Sequence, residues 1–136
     1  MFVLPVAMAA TGAAAVINFW LGMRVGRVRI AEKISIGDGG NTRLVARMRA
    51  QANFVEYTPI VLILIALVEL AGGTHLWLWG LAAAYIVARV LHAFGMDGWQ
   101  IGRSIGTMVT MLTMLGLGIY AATFPFFLGG AHPFAL

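Results

Sequence analysis

Cysteine is absent from the 136-residue sequence, which rules out disulfides, thiolate metal sites and a cysteine nucleophile and gives no hint of redox compartment. Charge is scarce too: Asp, Glu, Lys and Arg make up 10% of the residues, against about a quarter in soluble globular domains. What remains is apolar. Hydrophobic residues form 61% of the chain and the mean hydropathy is +0.91, so the expected solvent is the bilayer. Four spans of about 20 residues each, with short loops, use nearly the whole length. A single transmembrane domain over 1–136 is therefore expected, with no room for an appended soluble domain. The N-terminus lacks the basic n-region of a signal peptide, and its apolar run is long enough to span, so it is expected to be a retained helix beginning at the mature start.

The first charge-free run covers residues 2–23 and predicts helix one. Residues 24–42 hold Arg24, Arg27, Arg29, Glu32, Lys33 and Asp38 and end on Gly39-Gly40, the pattern of an extramembrane loop. Asn41 or Thr42 then caps helix two, expected over 43–71. At about 1.5 Å per residue that helix is roughly 43 Å long against a hydrocarbon core of about 30 Å, so its basic end projects beyond the interface. Pro59 is tolerable inside a membrane helix, and Gly72-Gly73 ends it. Helix three is expected over 74–96, with Trp77 and Trp79 suited to an interfacial aromatic belt. Helix four is expected over 103–128, where Gly106, Gly116 and Gly118 would let backbones approach closely. All nine Lys and Arg fall around the first and third loops, so by the positive-inside rule both loops face the cytosol and both termini face away from it.

Within this frame Arg49, Asn53 and Glu56 are spaced i, i+4, i+7 and share one face of helix two, with Tyr57 one position on. Arg89, His92 and Met96 repeat that logic on helix three, and Arg103 and Ser104 open helix four. All lie at the cytosolic ends, where they can converge on one cationic cleft. Blander readings stand beside this one. Arg24, Arg27 and Lys33 suit a solvated cluster attracted by anionic lipid headgroups, and Arg47 is as well explained by snorkelling. Glu69 fits an interfacial position, and Met108, Met111 and Met114 fit packing. His92 by itself is more often a hydrogen-bonded packing residue than a ligand, and Glu56 could simply pair with an Arg of another helix. A lipid-facing charge at mid-span costs about 2.5–3.5 kcal/mol, which argues against leaving Glu56 or Arg89 in lipid.

Guanidinium groups around a carboxylate and an amide suit a small ligand with carboxylates and an ammonium, because Arg binds carboxylates bidentately and Glu56 accepts from the ammonium. The same field depresses the pKa of a bound thiol. Arg103, beside the positive end of helix four, is well placed to stabilise the thiolate.

The segment from Arg49 through Gln51, Asn53, Glu56 and Tyr57 to Pro59 resembles the RAQxNxxEYxP signature of the membrane-associated proteins in eicosanoid and glutathione metabolism. The spacing of Arg89 and Arg103 is similar to that of the family's leukotriene and prostaglandin synthases, and the loop ending in Ile36, Gly37, Asp38, Gly39 and Gly40 is similar to that of bacterial members. The resemblance covers nearly the whole chain. It implies a homotrimer of all-α four-helix integral membrane subunits that bind glutathione between neighbours and present its thiol to lipid-soluble electrophiles or peroxides. By position Arg49, Gln51, Asn53, Glu56 and Tyr57 would hold the tripeptide. Arg29 would match a loop arginine of the family that also touches it, across loops of different length. Arg103 would activate the thiol, with Ser104 matching the serine that follows this arginine in one synthase and His92 matching the same enzyme. Met96 departs from the family's synthases, which have tyrosine there.

The expectation is therefore a bacterial inner-membrane glutathione transferase, with peroxidase activity as a companion. Its catalytic residues would be Arg103 and Ser104, and its glutathione-binding residues Arg29, Arg49, Gln51, Asn53, Glu56, Tyr57, Arg89 and His92. The expected partners are glutathione, a lipophilic small molecule, membrane lipid and two further copies of the chain; no metal and no nucleic acid are expected. The rivals are a non-catalytic accessory subunit of a larger assembly and a small four-helix multidrug transporter. The latter typically needs a carboxylate in helix one, where this chain has none.

Overall fold

In a bilayer the backbone must satisfy its own hydrogen bonds, so each apolar run of this chain closes into a helix. The computed structural model describes residues 3–127, as α1 (Pro5–Glu32), α2 (Thr42–Gly72), α3 (Leu76–Gly95) and α4 (Gln100–Phe127). All four are long and apolar enough to cross a membrane, and the described residues contain no strand. The fold is an all-α integral membrane bundle. The expected ends at Phe2 and Leu128 lie outside the described residues.

Asn41 caps α2, its side chain accepting from the Leu44 N–H at 2.9 Å, as a short polar side chain does where the first turn leaves donors free. Helix α1, by contrast, runs nine residues past the expected boundary at Met23, ending only where Lys33 turns left-handed at φ 55. Hydropathy reports solvent rather than helicity: nothing between Met23 and Lys33 breaks a helix, so α1 continues into its basic segment. The loop that follows turns on Gly39 and Gly40, with φ of 57 and 73, values that glycine adopts without steric cost.

The start of α1 corrects the reading of Glu69. Leu4 provides no side-chain cap. Instead the Glu69 carboxylate, on the last turn of α2, accepts from the Val6 N–H at 3.0 Å and the Ala7 N–H at 2.9 Å, and Thr74 donates to it at 2.8 Å. Glu69 is 2% exposed, so at this end of the bundle it is a buried cap rather than a charge open to its surroundings. Glu69→Ala is expected to lower stability by about 3 kcal/mol, because each buried donor left unsatisfied costs about 1–3 kcal/mol. Thermal unfolding in detergent will measure this, with Glu69→Gln falling between that variant and the native chain.

Helix α1 packs chiefly on α2 and α3 chiefly on α4, while α2 also contacts α4, α1 contacts α3, and α1 and α4 occupy opposite corners. The core runs from Val6, Val61, Ile65, Leu78, Tyr85 and Leu117 at one end through Leu21, Ala50, Phe54 and Ala93 to Val25, Val28 and Leu44 beneath the loop. Outward lie Val16, Phe19, Ile63, Leu112 and Leu115, facing a solvent as apolar as themselves. Of the three α4 glycines expected at a close approach, only Gly106 makes one. A Cβ there would fall 2.7 Å from the Ala88 carbonyl oxygen, whereas Gly116 and Gly118 face open space. The α3–α4 seam is set by Gly102, Gly106, Thr110, Thr113 and Leu117, the buried residues of α4.

Candidate functional site

The polar residues of the basic half divide into a buried set and an exposed set. Arg89, 1% exposed, lies between α2, α3 and α4. One guanidinium nitrogen donates to Asn53 Oδ1 at 2.7 Å and the other to Thr110 Oγ1 at 3.0 Å, and the Phe54 ring lies 5.5 Å from its Cζ. Thr110 passes its own proton to the Gly106 carbonyl at 2.7 Å. A buried cation is thus held by neutral oxygens and a ring face, without a carboxylate. One turn toward the far end, Tyr85 and Thr58 share a hydrogen bond of 2.9 Å. His92 is buried beside Arg89 on α3, with its Nδ1 and the Arg89 Nε lacking a hydrogen-bond partner. Arg89 and His92 are therefore buried on α3, with Asn53 of α2 bonded to Arg89.

Arg49 and Glu56 lie exposed on the outer face of α2, and Tyr57 is half-buried. Both ion pairs among the described residues involve Asp97, so Glu56 is not tied to an arginine of its own chain. It stands about 21 Å along α2 from Thr42, at about 1.5 Å per residue, which places it within the membrane-spanning part. Gln51 turns another way: a Cβ on Gly22 of α1 would fall 3.4 Å from its Nε2, so it lies against α1. Arg29, on the last turn of α1, donates to the Gly37 carbonyl at 2.9 Å and approaches the Met48 sulfur at 3.5 Å, bracing the loop. Met96 packs against the apolar core.

Arg103 and Ser104 are exposed in the first turns of α4, where the guanidinium adds to the helix dipole. They line an open groove with Gln100, Thr107 and Met108, all from α4, so one chain does not close a cleft around them. The geometry brings Asn53 and Arg89 together and leaves Arg49, Glu56, Arg103 and Ser104 on the surface.

Four polar residues of this region take places that the sequence did not reveal. Arg24 is 6% exposed rather than solvated: it donates to the Ala93 carbonyl at 3.2 Å, pairs with Asp97, and stacks 4.7 Å from the Trp20 ring. Arg47 does not snorkel but turns inward, donating to the Arg24 carbonyl at 3.2 Å with its Nε 3.5 Å from Asp97. Asp97 and Thr110 gave no motif. The one available signal was the stripe of Gly102, Gly106, Thr110 and Thr113 at helical spacing on α4.

Four helices long and apolar enough to span a membrane, packed around a buried polar cluster at Arg89, define a small all-α integral membrane protein. Residues 7–123 match the profile of the MAPEG family, and the chain belongs to that family. It is also 32% identical over 94 residues to the inner membrane protein YecN of Escherichia coli (strain K12) and to that of Escherichia coli O6:H1 (strain CFT073), a stretch covering 65% of this chain and 71% of each relative. The family includes glutathione transferases and related proteins, and also members that are not enzymes.

Proposed function

We propose that this protein is a membrane-embedded glutathione transferase that conjugates, or reduces with glutathione, a lipophilic electrophile entering laterally from the bilayer. The observation that carries this reading is the unpartnered pair Arg49 and Glu56 on the exposed face of a spanning helix. Left in lipid at mid-span, Glu56 costs about 2.5–3.5 kcal/mol, and Arg49 continues its face toward the interface, so something polar covers the pair. They are seven residues apart, about 10 Å along the helix. An extended tripeptide spans about the same length. Glutathione carries carboxylates for Arg49 and an ammonium for Glu56.

Tyr57 lies beside this face, Asn53 links it to the buried Arg89 with His92 behind, and Arg29 and Gln51, on or against α1, would complete the set of ligands. Arg103 holds the sulfur as thiolate, with the hydroxyl of Ser104 beside it. In conjugation the sulfur forms a bond to the electrophilic carbon as the leaving group departs with the bonding pair. In peroxide reduction two glutathiones give the disulfide, an alcohol and water. Because one chain leaves both charged faces open, the site is completed by neighbouring copies in a homotrimer. Native mass spectrometry in mild detergent is expected to show three subunits, and a stable monomer that still binds glutathione contradicts this.

The lipid-soluble substrate makes detoxification the role that fits, and the inner-membrane location of the relatives supports the bacterial inner membrane for this chain. The basic loops face the cytosol, so the site lies near that side and both termini face away. Single cysteines at Asp38 and Thr74, unique in a chain with no cysteine of its own, are expected to label from opposite sides. The accessory-subunit reading draws on Met96, which offers no hydroxyl to the ligand. Isothermal titration with glutathione is expected to show saturable binding to the isolated protein. Absence of binding removes the transferase reading; binding without turnover of any electrophile leaves the accessory role.

A further inference from the structure

The transferase reading gives Arg103 a role but leaves open what holds it in place, since its side chain is exposed. The link between α3 and α4, residues 96–99, contains Asp97, the one carboxylate among the described residues with ion-pair partners. Arg24 of α1 pairs with its Oδ2 and donates to the Ala93 carbonyl at 3.2 Å. Arg47 of α2 faces its Oδ1 at 3.5 Å and donates to the Arg24 backbone carbonyl at 3.2 Å. The Arg24 guanidinium is itself wedged between the Trp20 and Phe94 rings, 4.7 and 5.7 Å from their centroids. Two helices thus grip a single carboxylate in the turn that delivers α4, and Ala93 of α3 holds one of the gripping guanidinium groups.

From that turn to Arg103 there is no slack. The Asp97 and Gly98 N–H groups donate back to Phe94 and Gly95, and the Arg103 N–H donates to the Trp99 carbonyl at 3.2 Å. The backbone of Arg103 is pressed so close to Gly95 that a Cβ there would collide with it, and a Cβ at Gly102 would fall 2.9 Å from the Leu91 carbonyl oxygen. A shift of Asp97 is therefore carried to Arg103. Stability alone is a poor reason for this arrangement, because the Asp97 side chain is 32% exposed and an exposed ion pair contributes only about 0–1 kcal/mol. We infer that Arg24, Asp97 and Arg47 form a clamp that sets the position of Arg103, making them positioning residues for the step at the thiol.

This inference rests on the role proposed for Arg103, so its test has one arm that needs no catalysis. With no native cysteine, Ser104→Cys takes a single nitroxide label next to Arg103. The label is expected to be ordered in the native background and mobile when Asp97→Asn is added. In the kinetic arm, Asp97→Asn is expected to lower kcat at least about fivefold, a barrier change of about 1 kcal/mol, while KM for glutathione moves less than about twofold. Combined with Arg103→Ala, it should slow the enzyme no further than Arg103→Ala does alone, because residues acting through one group are not additive. Additive losses with an unchanged label overturn the clamp and leave the transferase standing. If Arg103→Ala is itself silent, the role proposed for Arg103 falls and the label alone decides the clamp. Should Asp97→Asn not assemble, Arg47→Met removes the 3.5 Å partner and the bond to the Arg24 carbonyl while leaving the Arg24–Asp97 pair, and is expected to show the same non-additivity at smaller size.

Discussion

Arg103→Ala is expected to lower turnover at least about tenfold, roughly 1.4 kcal/mol of barrier, with a smaller effect on glutathione affinity. Arg103 sits in the first turn of α4, where its charge and the helix dipole both favour an anion. Removing the guanidinium raises the pKa of the bound thiol, so less thiolate is present at neutral pH and attack slows. The sign fixes the pH dependence: activity lost at neutral pH returns as pH rises through the new thiol pKa. The thiolate's ultraviolet absorbance, followed against pH in both proteins, measures it. Ser104→Ala is milder, since a neutral hydrogen bond contributes about 0.5–1.5 kcal/mol. Equal thiol pKa and equal turnover in the native protein and Arg103→Ala would show that this arginine serves only to anchor the helix in lipid.

Arg49→Ala and Glu56→Gln are each expected to weaken glutathione binding by about 1.5–3 kcal/mol, the range for hydrogen bonds to charged groups. Both side chains are exposed in a single chain, so the fold does not depend on either, and the loss should appear in affinity rather than in unfolding temperature. Asn53→Ala behaves differently. It removes the 2.7 Å acceptor of the buried Arg89 guanidinium, so it loosens the α2–α3–α4 junction and affects stability and binding together. Affinity unchanged in both charge variants places the ligand elsewhere.

The four helices were legible because a span needs length and apolarity, both of which are local properties. Asn41 was legible as a cap because capping needs only a short polar side chain before a helical run. The end of α1 was not: residues 24–32 are polar yet helical, and only the left-handed Lys33 stops them. Arg24 and Glu69 were misjudged for a shared reason. Each looks like an interfacial charge until its partners are known, and these come from Ala93, 69 residues away, and from Val6, 63 away. Gly106 and Gly116 are alike in sequence, and only the orientation of α4 against α3 decides which one meets a neighbour. In the site, helical spacing put Arg49, Asn53 and Glu56 on adjoining positions of α2. It did not reveal that Asn53 turns inward to Arg89 while the two charges stay outside.

The central claim is tested most directly by turnover in membranes containing the protein, given glutathione with either a model aryl halide or a lipid hydroperoxide. The account predicts glutathione-dependent consumption of at least one of them, well above the level in membranes carrying Arg103→Ala. Consumption of neither above that level, in protein that folds and binds glutathione, would contradict it.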